Sequence, residues 1–244
     1  MREFLVVITL VAVGFFPALA ESAKQPAPQI LVFGGTGRLG SDIVKALVED
    51  GHSVTVFVRP TSDRRRLAGL PIAWVVGDVL DAKTVEAAFA GKDYQVAIDA
   101  LGRGSEGVDF YSMSAENIAA SAASHGVQQI LLHGSVGAGE SSDALADHRF
   151  FNRMQGLMNA KTEGENAVVE CGVSYTIIRN GRLMPYGTPA SGRAELYEDQ
   201  MLVGSVTREG LARLTAGCIL NEECFNKIYH AVDKSLGDKQ EDEE

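Results

Sequence analysis

"QILVFGGTGRLGSDIVKALVEDG", residues 29–51, decides the fold class. A short apolar run, Gln29–Phe33, leads into three glycines spaced G-x-x-G-x-x-G at Gly34, Gly37 and Gly40. A stretch with helical periodicity follows from Arg38 to Glu49, and Asp50-Gly51 stops it. Strand, glycine turn and helix, in that order, are the context in which such a loop holds a dinucleotide. Gly34 lets the backbone turn off the strand, Gly37 lets it approach a pyrophosphate, and Gly40 permits tight helix–strand packing. With Thr36, Arg38 and Leu39 they form the expected phosphate cradle, since a helix N-terminus offers N–H groups and partial positive charge. A glycine-rich turn with no ligand is the competing reading.

Outward from this loop, β-rich runs alternate with helical stretches. Strands read at Gln29–Phe33, Ser53–Val58, Ala73–Val76, Val96–Ala100, Gln129–His133, Ser174–Ile178 and Lys227–Val232. Helices read at Arg38–Glu49, Ala82–Phe89, Asp109–Ser124, Met154–Glu170 and Arg208–Leu220. The strands are nearly all-apolar, as strands buried on both faces must be. The expectation is an α/β, Rossmann-like doubly wound parallel sheet with helices on both faces. After Arg179, "NGRLMPYGTPASGRAELYEDQ" turns polar and rich in Gly and Pro, which suggests a small C-terminal substrate subregion. No internal repeat is present.

The chain has 244 residues and a formal charge of −10, which argues against nucleic acid as the main partner, because a binder must neutralise phosphates. Residues 1–20 have the parts of a signal peptide: Arg2, an apolar run from Phe4 to Phe16, and Ala18-Leu19-Ala20 before Glu21. The expectation is export, to a bacterial periplasm or the medium, with no stable membrane span after cleavage. A retained N-terminal anchor is the alternative. Residues 21–28 then form a flexible lead-in, 29–233 the domain, and 234–244 a disordered acidic tail. Cys171 reads as a core residue. Cys218 and Cys224 flank a helix end and read either as a disulfide or as two small hydrophobes. Neither their spacing nor any His or Cys cluster suggests a metal.

At the end of the second strand, "VTVFVRP" puts Arg59 where an acidic residue would bind the ribose of NAD. An arginine suits a 2′-phosphate, with Arg38 as the other jaw, so NADP(H) is expected over NAD(H). A solvated basic turn, Arg59 with Arg64, Arg65 and Arg66, is the plainer alternative.

"VFGGTGRLG", "VFVRP", "VVGDVLD", "LLHGSVGAG", "AKTEGENAV", "SYTIIRNGRL" and "VTREGLARL" lie in register with the atypical short-chain dehydrogenase/reductases. The chain most resembles their NmrA-like and flavin/biliverdin-reductase-like group, from about Gln29 to Asp233. That resemblance implies Asp78 and Val79 against the adenine, and Ala100, Leu101 and Gly102 along the nicotinamide ribose. It implies a role for Ser135 but not for Gly134, where the group often has a first serine. It also implies that Lys161 bonds the nicotinamide ribose. Asp78 as a helix cap and Lys161 as a surface charge near Glu165 are the plainer readings.

Ordinary members pair that lysine with a tyrosine four residues earlier, which passes a proton to or from the substrate oxygen. Here that position is Leu157, and no tyrosine has a lysine four residues later. Tyr111, His133, His148 and Tyr186 are the possible substitutes, with Tyr186, Ser135 and Lys161 the catalytic candidates carried forward. Two functions stand: an oxidoreductase passing hydride to a small conjugated or quinone-like acceptor, or a silent NADP(H)-binding sensor or assembly protein.

Overall fold

The computed structural model describes residues 27–102, 106–145 and 151–237. The leader, most of the lead-in, His148 and the chain end after Gly237 lie outside them.

Six parallel strands build the core of one sheet: β1 (Gln29–Phe33), β2 (Ser53–Val58), β3 (Ala73–Val76), β4 (Val96–Asp99), β5 (Gln129–Ser135) and β6 (Ser174–Asn180). β10 (Lys227–Val232) extends it in parallel, and β8 (Glu195–Tyr197) closes the edge antiparallel, in the order β3-β2-β1-β4-β5-β6-β10-β8. The chain moves one way from β1 to β3, then restarts at β4 on the other side of β1. This reversal opens a crevice at the carboxyl ends of β1 and β4, where ligands of open α/β sheets bind.

Why the strands are apolar throughout follows from the two layers. α1 (Arg38–Glu49) and α5 (Arg208–Gly217) cover one face, which buries Ile30, Val32, Val54, Val56 and Ile98. α2 (Ala82–Phe89), α3 (Phe110–Ser124) and α4 (Phe151–Glu170) cover the other, which buries Leu31, Phe33, Ala97 and Ile130. Successive side chains alternate between faces, so both positions of each pair must be apolar. The doubly wound sheet expected from the sequence is present.

The elements differ from expectation where polarity hides a strand. β5 runs on to Ser135 and β6 to Asn180, with Gly134 paired to Arg179 and Ser135 to Asn180. Hydropathy ends both strands two residues early, because Gly134, Ser135, Arg179 and Asn180 are not apolar, and the Arg179 charge is met from outside the strands by Glu165 and Gln200. In the C-terminal subregion, β8 and the two-residue pair β7 (Arg182–Leu183) and β9 (Ser205–Val206) are too short to show a period. Lys234–Leu236, expected in the acidic tail, form a 3-10 turn in which the Asp233 carboxylate accepts from Ser235 N–H. Among the described residues no helix is long and apolar enough to cross a membrane.

α5 stops at Gly217, and Leu220 takes a left-handed turn with φ 50°. Cys218 and Cys224 form a disulfide, the first of the two sequence readings. The turn has a second fastening. Buried Gln129 donates Nε2–H to the Cys218 and Thr176 oxygens and accepts from Leu220 N–H, while the Thr176 hydroxyl donates to Cys224 O. Closing so short a loop contributes about 2 kcal/mol. Reduction with dithiothreitol should therefore lower Tm by about 4–8 °C; an unchanged Tm in thermal unfolding would show that the bridge contributes nothing.

Candidate functional site

The glycine loop sits at the β1/β4 crevice through close backbone contact at Gly34 and Gly40. Gly34 has φ +77°, and a Cβ there would meet the Ala100 carbonyl oxygen at 2.5 Å. A Cβ on Gly40 would press into the Gly34 carbonyl, so the first turn of α1 lies directly on the end of β1. Gly35, not singled out in the sequence, is needed as well, because a Cβ would meet Val56 Cγ1 at 2.6 Å. Gly37 N–H donates to Gly34 O at 2.9 Å and closes the turn. Gly37 is exposed and occupies the N-cap, where no side chain caps the helix. Open N–H groups at an uncapped N-terminus, framed by residues whose Cβ is excluded, fit a dinucleotide pyrophosphate.

Beside the ends of β2 and β3 lie the expected adenosine residues. Arg59 is exposed, and its guanidinium bonds Glu106 at 2.5 Å. Arg38 stands 5.8 Å from the Tyr186 ring centroid, and Arg66 stands 5.6 Å from the same ring. Tyr186, a catalytic candidate in the sequence, thus sits with these cations and is not among the residues lining the cavity at Lys161. Asp78 is exposed, and its carboxylate accepts from Leu80 N–H to form a turn. Asp81, not Asp78, caps α2. The Val79 side chain is buried, and its carbonyl accepts from Asn117.

A buried block of charge adjoins the ends of β4, β5 and β6. Arg179 on β6 reaches Glu165 on α4 at 2.8 Å, both almost wholly buried, and also donates to Gln200 Oε1. Space for this pair comes from two glycines. A Cβ on Gly134 would strike the Glu165 carboxylate, and one on Gly139 the Arg179 guanidinium. The lost first serine at position 134 thus has a physical reason. Glu165 is also no surface partner of Lys161, which corrects the plainer reading of that pair. Burial raises the Glu165 carboxyl, against the Arg179 hydrogen bonds and charge that favour ionisation.

One turn before Glu165, half-buried Lys161 places its ammonium 4.1 Å from the centre of the Tyr111 ring. Gly164 permits that approach, since a Cβ would meet Tyr111 O at 2.9 Å. Burial lowers the Lys161 pKa, while Asp99 and Glu165 pull it back up. Asp99 ends β4 and accepts from Leu101 N–H at 2.9 Å. Burial lifts Asp99 to about 6, against the Leu101 N–H and the Lys161 charge. His133 is held near 4 by burial and is neutral at pH 7. Its Nε2 faces the Thr215 hydroxyl, which donates to Leu211 O, so Nε2 carries the proton. The Nε2 partner of His133 is thus a side chain, that of Thr215.

The site therefore joins the loop residues, Ala100, Leu101 and Gly102 on one crevice. It places Lys161 with Asp99, Tyr111 and His133 around a cavity of only about 10 Å3. Asp99 and Arg179 went unread as site residues, and Glu165 was read only as a neighbour of Lys161. The signal of the first two is a charge inside an apolar run, as in "SYTIIRNG".

The NAD(P)H-binding family matches residues 34–222. An uncharacterized chloroplastic protein of Arabidopsis thaliana is 26% identical over 233 residues, 91% of this chain and 82% of its own length. Among solved structures, ChuY, an anaerobillin reductase of Escherichia coli O157:H7, superposes with TM-score 0.74 at 22% identity over 84% of this chain and 97% of that one. A short-chain dehydrogenase/reductase of Veillonella parvula in complex with NADP gives 0.68 at 15% identity, over 84% and 94%. A candidate exported protein of Burkholderia pseudomallei gives 0.67 at 21%, over 84% and 99%.

Asp99 yields a test with a defined sign. An unfolded aspartate has the ordinary value of 3.8, and burial raises the folded one to about 6. Its contribution to stability is therefore full below pH 3.8 and lost as pH rises through about 6. Asp99→Asn keeps the acceptor for Leu101 and removes that loss. It should stabilise the fold by about 3 kcal/mol at pH 8 and by little at pH 3. Equal stabilisation at both pH values, read by denaturant titration, would contradict the assignment.

Proposed function

The chain belongs to the NAD(P)H-binding family, and from that premise we propose that it is an NADP(H)-dependent reductase acting on a small conjugated or quinone-like acceptor. The observation that carries this reading is the uncapped first turn of α1 at the β1/β4 crevice, with Lys161 half-buried beside the neighbouring strand ends. Gly34, Thr36, Gly37, Arg38, Leu39 and Gly40 hold the pyrophosphate. Asp78 and Val79 flank the adenine, Ala100, Leu101 and Gly102 line the nicotinamide ribose, and Lys161 bonds its hydroxyls. Arg38 and Arg59 supply the positive charge that favours a 2′-phosphate.

The bound cofactor supplies hydride; the protein supplies position and a dry, charged wall. Leu157, one turn before Lys161, has no proton to give. A conjugated acceptor suits such a site, because it can take its proton from solvent. The second reading, a silent NADP(H)-binding sensor or assembly protein, draws support from the cavity beside Lys161, which has room for about one water.

The leader, the disulfide and the likeness to a candidate exported protein support export with cleavage after Ala20. Mature protein recovered from the periplasm should begin at Glu21; an intact Met1 on cytosolic protein would overturn this.

Calorimetric titration should show micromolar NADPH binding, with NADH weaker. Steady NADPH consumption with a flavin, quinone or enone would establish the reductase. Binding without consumption across that panel would leave the silent reading, and no binding of either nucleotide would sink both.

A further inference from the structure

We propose that the groove between α1 and α5, roofed by the turn at Pro185–Thr188, is a second small-ligand site, built for a monocarboxylate with a flat apolar body. It lies outside the nucleotide crevice and does not depend on what binds there.

The groove encloses about 310 Å3, at the lower end of the range of small-molecule sites, against about 10 Å3 beside Lys161. None of its lining residues belongs to the glycine loop, to Ala100–Gly102 or to α4. α1 contributes Asp42, Lys45, Ala46 and Glu49, which share one helix face at spacings of three and four. α5 contributes Arg208, Glu209, Ala212 and Arg213. Ala46 and Ala212, both buried, form the floor, where longer side chains would fill the seam between the packed helices. Lys161 is on α4, across the sheet, so an occupant of this groove is not the hydride acceptor.

One cation in the groove is left without a counter-charge. Lys45 pairs with Asp42 at 3.3 Å, and Arg213 with Glu49 and Asp50. Glu209 accepts from Ala190 N–H at 3.1 Å. Among the described residues half-buried Arg208 has no carboxylate partner, and its Nη1–H meets only a neutral oxygen, Met184 O, at 2.6 Å. That bond fixes the guanidinium and leaves its charge unmet. A carboxylate matches it in shape and charge. Asp42, Glu49 and Glu209 surround the same space and repel a second negative charge, which limits the ligand to one.

The apolar half of the groove is Pro185 and Tyr186 above the two alanines, with the Tyr186 ring 45% exposed. An exposed ring at a cavity rim is surface that a flat ligand body covers. The roof is already in place: Met184 N–H donates to Val206 O, and Thr188 N–H and hydroxyl both return to Pro185 O. An occupant therefore has no turn to order on binding.

The test is calorimetric titration of the full chain with sodium benzoate and with benzamide, its uncharged counterpart, with and without saturating NADPH. Benzoate should bind at about millimolar concentration or below, and NADPH should not displace it. Benzamide should bind about tenfold more weakly. Arg208→Gln, which keeps a donor for Met184 O, should bring benzoate down to the level of benzamide and leave NADPH within about threefold of the parent. Ala212→Leu should close the groove to both probes; if it does not fold, as judged by Tm, Arg208→Gln and benzamide decide the matter alone. No benzoate binding at about 10 mM, equal binding by Arg208→Gln, or displacement by NADPH would overturn the proposal while the dinucleotide reading stands. A chain that binds benzoate as described but neither nucleotide would sink that reading and keep this one.

Discussion

The site depends on backbone packed against backbone. The Gly34 carbonyl fills the space where residue 40 would carry a Cβ, and the Ala100 carbonyl fills the same space beside Gly34. At Gly34 and Gly40 the nearest neighbours of the missing Cβ are all backbone atoms. The free N–H groups of that turn therefore open at the place where the order of the sheet reverses. The crevice would be plugged if any of these glycines carried a methyl group, and the helix would have to move off the strand.

Around that seat the molecule divides its charges. At the β2 side the cations are exposed, and two of them, Arg59 and Arg65, meet Glu106 and Asp63 at the surface. At the β5–β6 side they are buried and already paired. An isolated buried guanidinium would be costly, and Glu165 with Gln200 meets its donors instead. Lys161 sits at the border of these regimes, with Asp99 and Glu165 near it and Tyr111 beneath it. Its ammonium is oriented from several directions before any ligand arrives. Such preorganisation costs stability at Asp99 near neutral pH and at His133 only in acid, because burial drives their pKa values in opposite directions.

Most of the fold was legible because it is written in apolar runs and glycine stops. Gln29–Phe33, Ser53–Val58 and Arg38–Glu49 were readable to the residue, since a strand buried on both faces and a helix with one apolar face leave different periods. The ends of β5 and β6 were not, because Gly134, Ser135, Arg179 and Asn180 look like loop until the Glu165 carboxylate is placed among them. The loop residues could be read from spacing alone. The pairing of Arg59 with Glu106 could not, because it links positions 47 residues apart. Tyr186 looked like a stand-in acid by its chemistry and its neighbourhood in the chain. Only the path of the turn through Met184 and Thr188 puts it with Arg38 and Arg66.

The two glycines around the buried ion pair have an evolutionary consequence. Positions 134, 139, 165 and 179 act as one unit: a serine at 134 collides with the carboxylate, and losing the carboxylate strands the guanidinium. Single substitutions at any of the four pass through an intermediate that is crowded or carries a buried unpaired charge. A lineage can leave this arrangement only by changing several positions together. Descendants should therefore keep all four residues or none, which makes the quartet a marker of common ancestry within a family whose members otherwise share little sequence.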